Sequence, residues 1–447
     1  MIDMTKGSEI KVLFRFMIPM LIGNLFQQVY NMVDSVIVGK YIGANALGAV
    51  GSVGSVQFFF FSLCVGLGSG ISVLAAQYFG AGRTEEVKKI IGNAVYITGA
   101  SGIVMGGCGL ILAEPLLGFM NTPAANLQDA LTYMKIVCGT TVIVAGYNTV
   151  SGILRALGDA RTPLYFLIIS SVINVILDLL FVITFGWGVA GAAWATVTAQ
   201  FFALCGTVIV SVVKNPYFHL QRKHIEVDWR IIQKTTRMGI PLAAQNAMLS
   251  VSSIALQSVV NSFGTVVMAA YTAYGRVEQL VTQPYGSLGV AVSTFAGQNV
   301  GAGNYERVKK GCRRSVYLVL GFSAALFLVM LLFGENIAAI FVNDPEVIQI
   351  GARGLRITSL VYAVLGMIYI FRAVLNGAGD VIFSMFNGII EVVSRIAFAY
   401  ILTAIPAVGV WGIWYTNACT WILAAGVCVI RYCGNKWKKN QIEEGKR

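Results

Sequence analysis

The chain has 447 residues, of which 57% are hydrophobic and only 12% are charged, and its mean hydropathy is +0.74. Soluble domains usually carry about 25% charged residues, so this composition excludes an ordinary soluble protein and favours a polytopic membrane protein. The net charge of +12 is typical of basic loops on one side of a lipid bilayer, and we do not expect nucleic acid as a partner. The apolar runs are continuous and lack the short alternating segments of a β-barrel, so we predict an all-α bundle.

Apolar runs and the charge clusters between them predict twelve transmembrane helices. Their approximate spans in chain order are 16–38, 52–79, 90–113, 132–153, 163–184, 189–213, 239–261, 266–296, 315–334, 350–372, 384–404 and 409–431. Each has at least the ~20 residues that cross a hydrocarbon core of ~30 Å. The first run is too long for a signal peptide and no small-residue cleavage site follows it. The eight cysteines and two histidines show no metal-ligand spacing, so we expect no metal site built from them.

Lys and Arg alternate between the predicted loops. They lie after helices 2, 4, 6, 8 and 10 and at both ends of the chain, whereas the loops after helices 3, 5, 7, 9 and 11 have none. Lys40, after helix 1, is the exception. By the positive-inside rule both termini are predicted to be cytoplasmic, in a multi-pass protein of the inner (plasma) membrane.

The two halves of the chain resemble each other. QYFGAGRTEEVKKIIGNAV (77–95) aligns with QNVGAGNYERVKKGCRRSV (298–316), with nine identities in nineteen positions at an offset of 221. Six helices per half give both halves the same orientation, so we predict two pseudo-symmetric six-helix lobes around a cleft. The predicted divisions are an N-lobe (1–213), a cytoplasmic linker (214–237), a C-lobe (238–435) and a cytoplasmic tail (436–447). Such duplication favours alternating-access transport, although enzymes and pores can also arise by duplication.

The predicted N-lobe carries two acids within its apolar runs. Asp34 ends a polar stripe on one face of helix 1, formed by Asn24, Gln27, Gln28, Asn31, Asp34 and Ser35. Asp178, on helix 5, has Asn174 one turn earlier on the same face. No Lys or Arg of these runs can pair with either acid. A buried carboxylate without a cationic partner takes a proton or recruits a cation, so the two acids predict a site that senses a gradient.

The predicted C-lobe has a different charge pattern. Helix 7 has a polar stripe without an acid, formed by Asn246, Ser250, Ser253, Gln257 and Asn261. Charges of both signs follow at Arg276, Glu278, Glu391 and Arg395. Glu391 and Arg395 are four residues apart and are predicted to pair on one helix face, with a packing role and a functional role both open. Our candidates for the substrate cleft are Gln27, Asn31, Gln257, Glu278, Glu391 and Arg395.

The chain resembles the multidrug and toxic-compound extrusion (MATE) family over nearly its whole length, and within that family the DinF-like branch. The resemblance rests on IPMLIGNLFQQVYNMVDSVIVGKYIG, on the two GAG loops, on RALGDARTP and on NVILDLLFVITFGWGVAGAAWAT. It implies a V-shaped two-lobe transporter with a cation-coupling site at Asp34, Asn174, Asp178 and Thr196. The NorM-like branch has a glutamate on helix 7, and the corresponding IPLAAQNAMLS here contains no acid.

This resemblance implies an antiporter that exports amphipathic, often cationic, organic compounds in exchange for H+ or Na+. We expect a monomer in a lipid bilayer, with no cofactor other than the coupling ion. The alternative is a flippase for a lipid-linked oligosaccharide, for which Arg276 and Arg395 are the only deep cations. A membrane-embedded enzyme is not expected, because the sequence has no P-loop, HExxH or GxSxG and no converging catalytic set. Residue types leave the choice between H+ and Na+ open.

Overall fold

The computed structural model describes residues 2–119 and 124–439, so the predicted tail beyond residue 439 lies outside the described residues. This part of the chain folds into α-helices joined by turns and short 3₁₀ or π segments, without a β-strand. The α-helices are α1 Glu9–Ile37, α2 Ala44–Gly80, α3 Thr84–Phe119, α4 Ala124–Gly139, α5 Thr141–Ala156, α6 Arg161–Asp178, α7 Gly188–Lys214, α8 Arg222–Ile225, α9 Trp229–Asn261, α10 Thr265–Gly301, α11 Tyr305–Ala339, α12 Pro345–Ser359, α13 Tyr362–Gly377, α14 Val381–Ala404 and α15 Gly412–Cys433.

The predicted all-helical membrane fold is confirmed. Within the described residues, nine helices are long and apolar enough to cross a membrane, or up to eleven if α4/α5 and α12/α13 each form one bent span. The two helices of each pair are inclined to each other by 48° and 52°, respectively, whereas the sequence predicted one continuous helix in each place. The predicted eighth helix corresponds to α10, which is not among the eleven and which carries Arg276 and Glu278.

Several helices begin before the apolar run that predicted them. α3 begins at Thr84 and α11 at Tyr305, about two and three turns before the predicted positions 90 and 315. Charged residues such as Glu and Lys favour helix, so the helix continues outside the hydrocarbon although hydropathy has already fallen. At ~1.5 Å per residue, the 35 residues of α11 exceed the ~20 needed to cross a bilayer.

The repeat is visible in the backbone. Four pairs of glycines have positive φ angles and lie 221 residues apart, namely Gly43 and Gly264, Gly82 and Gly303, Gly158 and Gly379, and Gly188 and Gly409. Gly82 and Gly303, with φ of 70° and 74°, follow α2 and α10 in the two GAG motifs. A left-handed conformation just after a helix end favours glycine, so the GAG motifs end these helices.

The chain divides into two compact units. Unit 1 contains Ile18–Ala244 and the residues before Met4, and unit 2 contains Met4–Met17 and the residues from Gln245 onward. The first part of α1 therefore packs within unit 2, and the first part of α9 packs within unit 1. In unit 1, a buried apolar core surrounds the end of α1 and includes Ile37, Val53, Met134, Val182 and Ala193.

Candidate cation-coupling site

Asp34 lies near the end of α1, in unit 1. Its helix ends at Ile37 and continues as a π-helical segment, Val38–Ile42, before Gly43 turns the chain with φ of 121°. The carboxyl group is half-buried, and its Oδ1 has no hydrogen-bond partner among the described residues. π-Helical turns within helices are frequent at functional sites. The backbone therefore changes its winding one turn after the acid.

Asp178 lies in a similar local setting on α6. It is the last residue of that helix, is fully buried, and is followed directly by the π-helical segment Leu179–Thr184. Asn174 is only 1% exposed and lies one turn earlier on the same face. The two π-helical segments pack against each other, which brings the ends of α1 and α6 together.

The structure brings the four residues of the predicted coupling site together. The carboxyl groups of Asp34 and Asp178 lie within hydrogen-bonding reach of each other. The Asn174 Nδ2 donates to Thr196 Oγ1 on α7 at 3.4 Å. Thr196 is also within hydrogen-bonding reach of the Tyr30 hydroxyl.

Two tyrosines lie beside the acid pair. Tyr30 and Tyr133 both lie close enough to Asp34 and Asp178 to interact with their charges. Two adjoining carboxylates in an apolar setting repel each other unless a proton or a cation reduces their charge. Carboxylate, amide and hydroxyl oxygens are also the ligands that hard cations prefer. The arrangement can therefore hold one proton or one small cation between the two acids.

Sequence reasoning missed the two tyrosines. Tyr30 lies four residues before Asp34 on α1, so helical periodicity placed it on the same face and could have identified it. Tyr133 comes from α4 and is 7% exposed, within the apolar core that supports α1. No pattern in the sequence indicates that α4 packs beside the acid pair.

The candidate cleft residues of predicted helices 1 and 7 are polar and lie on α1 and α9. Gln27 and Asn31 are exposed on α1, on the turns before Asp34. In α9, Gln257 Nε2 donates to Asn261 Oδ1 at 2.8 Å.

The second charged cluster lies in unit 2, on α10 and α14. Tyr274 and Glu278 lie within hydrogen-bonding reach, and the charge of Arg395 acts on the Glu278 carboxyl. Asn417 Nδ2 on α15 donates to the Tyr274 hydroxyl at 3.4 Å. The Arg395 Nε is buried and has no hydrogen-bond partner among the described residues. Arg276 on the same α10 is exposed.

The prediction that Glu391 pairs with Arg395 was wrong. Glu391 instead forms a buried ion pair with Arg372 Nη2, which also hydrogen-bonds to Asn387 Oδ1. Arg372 comes from α13, and Asn387 Nδ2 is anchored to the carbonyl of Ala424 at 3.0 Å. The i,i+4 rule considers one helix only, whereas a neighbouring helix supplies the closer cation here. This ion pair favours the packing role for Glu391.

Comparison with known proteins supports the fold and the duplication. The MatE family model matches residues 19–180 and again residues 241–401. Probable multidrug resistance protein YoeA of Bacillus subtilis (strain 168) is 30% identical, over 98% of this chain and 96% of its own. Probable multidrug resistance protein YpnP of the same organism is 28% identical, over 98% and 97%. A solved structure of an outward-facing multidrug resistance MATE family transporter of the MOP superfamily has a TM-score of 0.90, with 24% identity and 98% of each chain covered.

The two matches to one family model follow the offset found in the sequence. Their first residues, 19 and 241, are 222 apart, and their last residues, 180 and 401, are 221 apart. Both halves of the chain are therefore copies of the same unit, in agreement with the repeated glycines. Together the matches span more than half of the chain, and the chain belongs to the MatE family, the multidrug and toxic-compound extrusion transporters.

Proposed function

We propose that this protein is a secondary antiporter that exports amphipathic, cationic organic compounds in exchange for H+ or Na+ bound between Asp34 and Asp178. The observation that carries the proposal is the pair of adjoining carboxyl groups of Asp34 and Asp178 in unit 1. The pair changes its charge when it gains or loses the ion, so it can respond to an ion gradient. The names of the Bacillus relatives, which are multidrug resistance proteins, support organic compounds as the exported class.

Antiport requires that ion binding and substrate binding favour different conformations of the same protein. Asp34 is one turn from the π-helical segment that ends α1, so a change in its charge acts at an irregular part of that helix. Binding of H+ or Na+ removes the repulsion between the two acids and stabilises the closely packed ends of α1 and α6. In this scheme substrate leaves when α1 adopts the packing of the ion-bound site.

The remaining assignments are part of the same proposal. Gln27, Asn31, Gln257 and Glu278 would supply polar contacts to the substrate. Both termini would be cytoplasmic, in a monomer of the plasma membrane. The coupling site would follow the DinF-like pattern, because the segment of predicted helix 7, which lies in α9, contains no glutamate.

The test is efflux of a cationic dye from proteoliposomes under an imposed H+ or Na+ gradient. We expect Asp34→Asn and Asp178→Asn to abolish gradient-driven efflux while the protein elutes as a monodisperse, folded species. Asp129→Asn, which neutralises another acid of unit 1, should transport as the unmodified protein does. Full coupled transport by the double variant Asp34→Asn/Asp178→Asn would refute the proposal. The gradient that drives efflux identifies the ion.

The same proteoliposomes separate the antiporter from the flippase. A flippase moves a lipid-linked oligosaccharide between leaflets and leaves a soluble dye inside the vesicle. Translocation of such a lipid without dye efflux would therefore favour the alternative.

A further inference from the structure

The last described residues form a short turn that is fixed to unit 2. Residues Lys436–Lys439 follow α15 as a 3₁₀ turn, and Trp437 within it is only 1% exposed. The Trp437 ring stacks on Tyr432 at 5.7 Å with an angle of 7° between the planes, and it lies 6.2 Å from the Tyr305 ring. Its Nε1 donates to the carbonyl of Tyr432 at 3.1 Å. The buried indole therefore holds this turn against the start of α11.

This docking brings two ammonium groups together. Lys438 lies directly beside Lys309 of α11, and the approach of Lys309 lowers the pKa of Lys438. Lys309 Nζ also forms an ion pair with Glu306 Oε1 at 2.7 Å, so a single exposed carboxylate lies beside two adjoining cations. We call the basic residues of this surface the tail cluster; they are Lys309, Lys310, Arg313, Lys436 and Lys438.

Neighbouring arginines on α11 differ from the tail cluster because a carboxylate compensates them. Glu9 accepts from Arg307 Nη1 at 3.4 Å and from Arg314 Nη1 at 2.5 Å, and Glu9 itself is buried. In the tail cluster the described carboxylate is that of Glu306, which is exposed and whose charge interacts with Lys309, Lys310 and Lys438 together. Basic loops need only lie on one side of the membrane, and that requirement does not explain why a buried tryptophan holds two lysines side by side.

The tail cluster lies at the border of the hydrocarbon. The 20 uncharged residues 315–334 of α11 are enough to cross a bilayer core, and they begin immediately after Arg314. Arg313 and Tyr317 are one turn apart on the same face, and the Tyr317 side chain is 64% exposed. A basic group therefore adjoins an exposed aromatic side chain here, as expected where a lipid headgroup meets its acyl chains.

We propose that the tail cluster binds the headgroup phosphate of an anionic phospholipid, with an acyl chain along Tyr317. The phosphate lies between Lys309 and Lys438 and supplies the negative charge that one carboxylate cannot. Trp437 and Tyr305 fix the two lysines at the height of the headgroups, where aromatic side chains are favoured. This inference does not depend on the transport mechanism, since neither Asp34 nor Asp178 takes part.

The test measures retention of phosphatidylglycerol by native mass spectrometry after extraction from nanodiscs of phosphatidylglycerol and phosphatidylcholine. The double variant Lys309→Gln/Lys438→Gln should bind phosphatidylglycerol about 25-fold more weakly, because each lysine near an anionic headgroup contributes roughly fivefold. Lys309→Arg/Lys438→Arg should restore binding, because it keeps both charges. The matched control is Lys88→Gln/Lys234→Gln, in which Lys88 is the repeat counterpart of Lys309.

Thermal unfolding in phosphatidylcholine alone shows that each variant is folded before its lipid binding is compared. Equal retention of phosphatidylglycerol by the glutamine and control variants would overturn the proposal. A second arm adds inorganic phosphate to the detergent-solubilised protein. If millimolar phosphate displaces phosphatidylglycerol completely, the ligand is a soluble phosphate and the assignment to a lipid is wrong. Retention of the lipid against phosphate supports the site as proposed.

Discussion

Units 1 and 2 contain copies of the same family unit but differ in how their buried charges are paired. The acids of unit 1, Asp34 and Asp178, approach each other. At the corresponding positions, unit 2 has Ala255 or Leu256, and Ala399. The π-helical segments that follow both acids in unit 1 also have no equivalent after α9 or α14.

Unit 2 instead pairs its charges with opposite ones. Arg372 compensates Glu391, and Arg431 binds Asp380 through Nε and Nη2 at 2.7 and 3.0 Å. Paired charges of opposite sign stabilise packing and need no further ion, whereas two adjoining acids need a proton or a cation. Under the proposed function, one copy would respond to ions and the other would provide a scaffold.

The largest effect is expected from breaking the buried ion pair of unit 2. Arg372→Met removes the cation and leaves Glu391, which is 4% exposed, without a counter-charge. Loss of one partner of a buried pair typically costs about 3–5 kcal/mol in the free energy of unfolding. Thermal unfolding in detergent, followed by circular dichroism, should show a clearly lower midpoint.

The double variant Arg372→Met/Glu391→Leu is the matched control, because it removes both charges and keeps the site filled. Its midpoint should return most of the way to that of the unmodified protein, since an apolar replacement of a buried pair is often neutral. A normal midpoint for Arg372→Met alone, with transport lost, would assign this pair to function and contradict the contrast between the units.

A smaller loss is expected at the second charged cluster of unit 2. Glu278→Gln removes the charge that faces Arg395 and weakens the contact with Tyr274. Hydrogen bonds to charged groups contribute about 2 kcal/mol, so the free energy of unfolding should fall by a similar amount. The same variant tests the cleft assignment: if the apparent KM for the dye is unchanged while stability falls, Glu278 has a packing role only.

The sequence predicted the helical membrane fold, the repeat and the two acids of the candidate site. Apolar runs report burial in lipid directly, and one repeated offset fixes which helices correspond. Asp34 and Asp178 were identifiable because an acid within an apolar run must have a reason to be there. These predictions use information that each segment carries by itself.

The features that the sequence did not predict depend on neighbouring helices. Glu391 has a suitable partner four residues away in Arg395, yet Arg372 from α13 takes that position. Tyr133 approaches the acid pair because α4 packs against α2 and α7. The π-helical segments and the bends at 139–141 and 359–362 also have no local signal that distinguishes them from regular helix.

A more modest change in unit 1 distinguishes the two candidate ions. Thr196→Val keeps the volume of the side chain but removes an oxygen that Asn174 and Tyr30 contact. If Na+ is the coupling ion, the loss of one oxygen ligand should raise the half-saturating Na+ concentration about tenfold. If H+ is the coupling ion, H+-driven dye efflux should continue, because the carboxyl groups remain. The control Thr196→Ser keeps the hydroxyl group, so it should behave as the unmodified protein whichever ion is coupled.

The smallest effect on stability is expected for Asp178→Asn, although this residue is as deeply buried as Glu391. Asn keeps the shape of the side chain and removes the repulsion from Asp34, so the free energy of unfolding should stay within about 1 kcal/mol or rise. The gain should be larger at high pH, because fewer protons are then available to the acid pair of the unmodified protein. Glu391→Gln is the matched change in unit 2 and should lower the midpoint, since it leaves Arg372 without its counter-charge. If the Asp178→Asn protein were the less stable of the two, Asp178 would have the same scaffold role as Glu391, and the difference between the units would be one of sequence only.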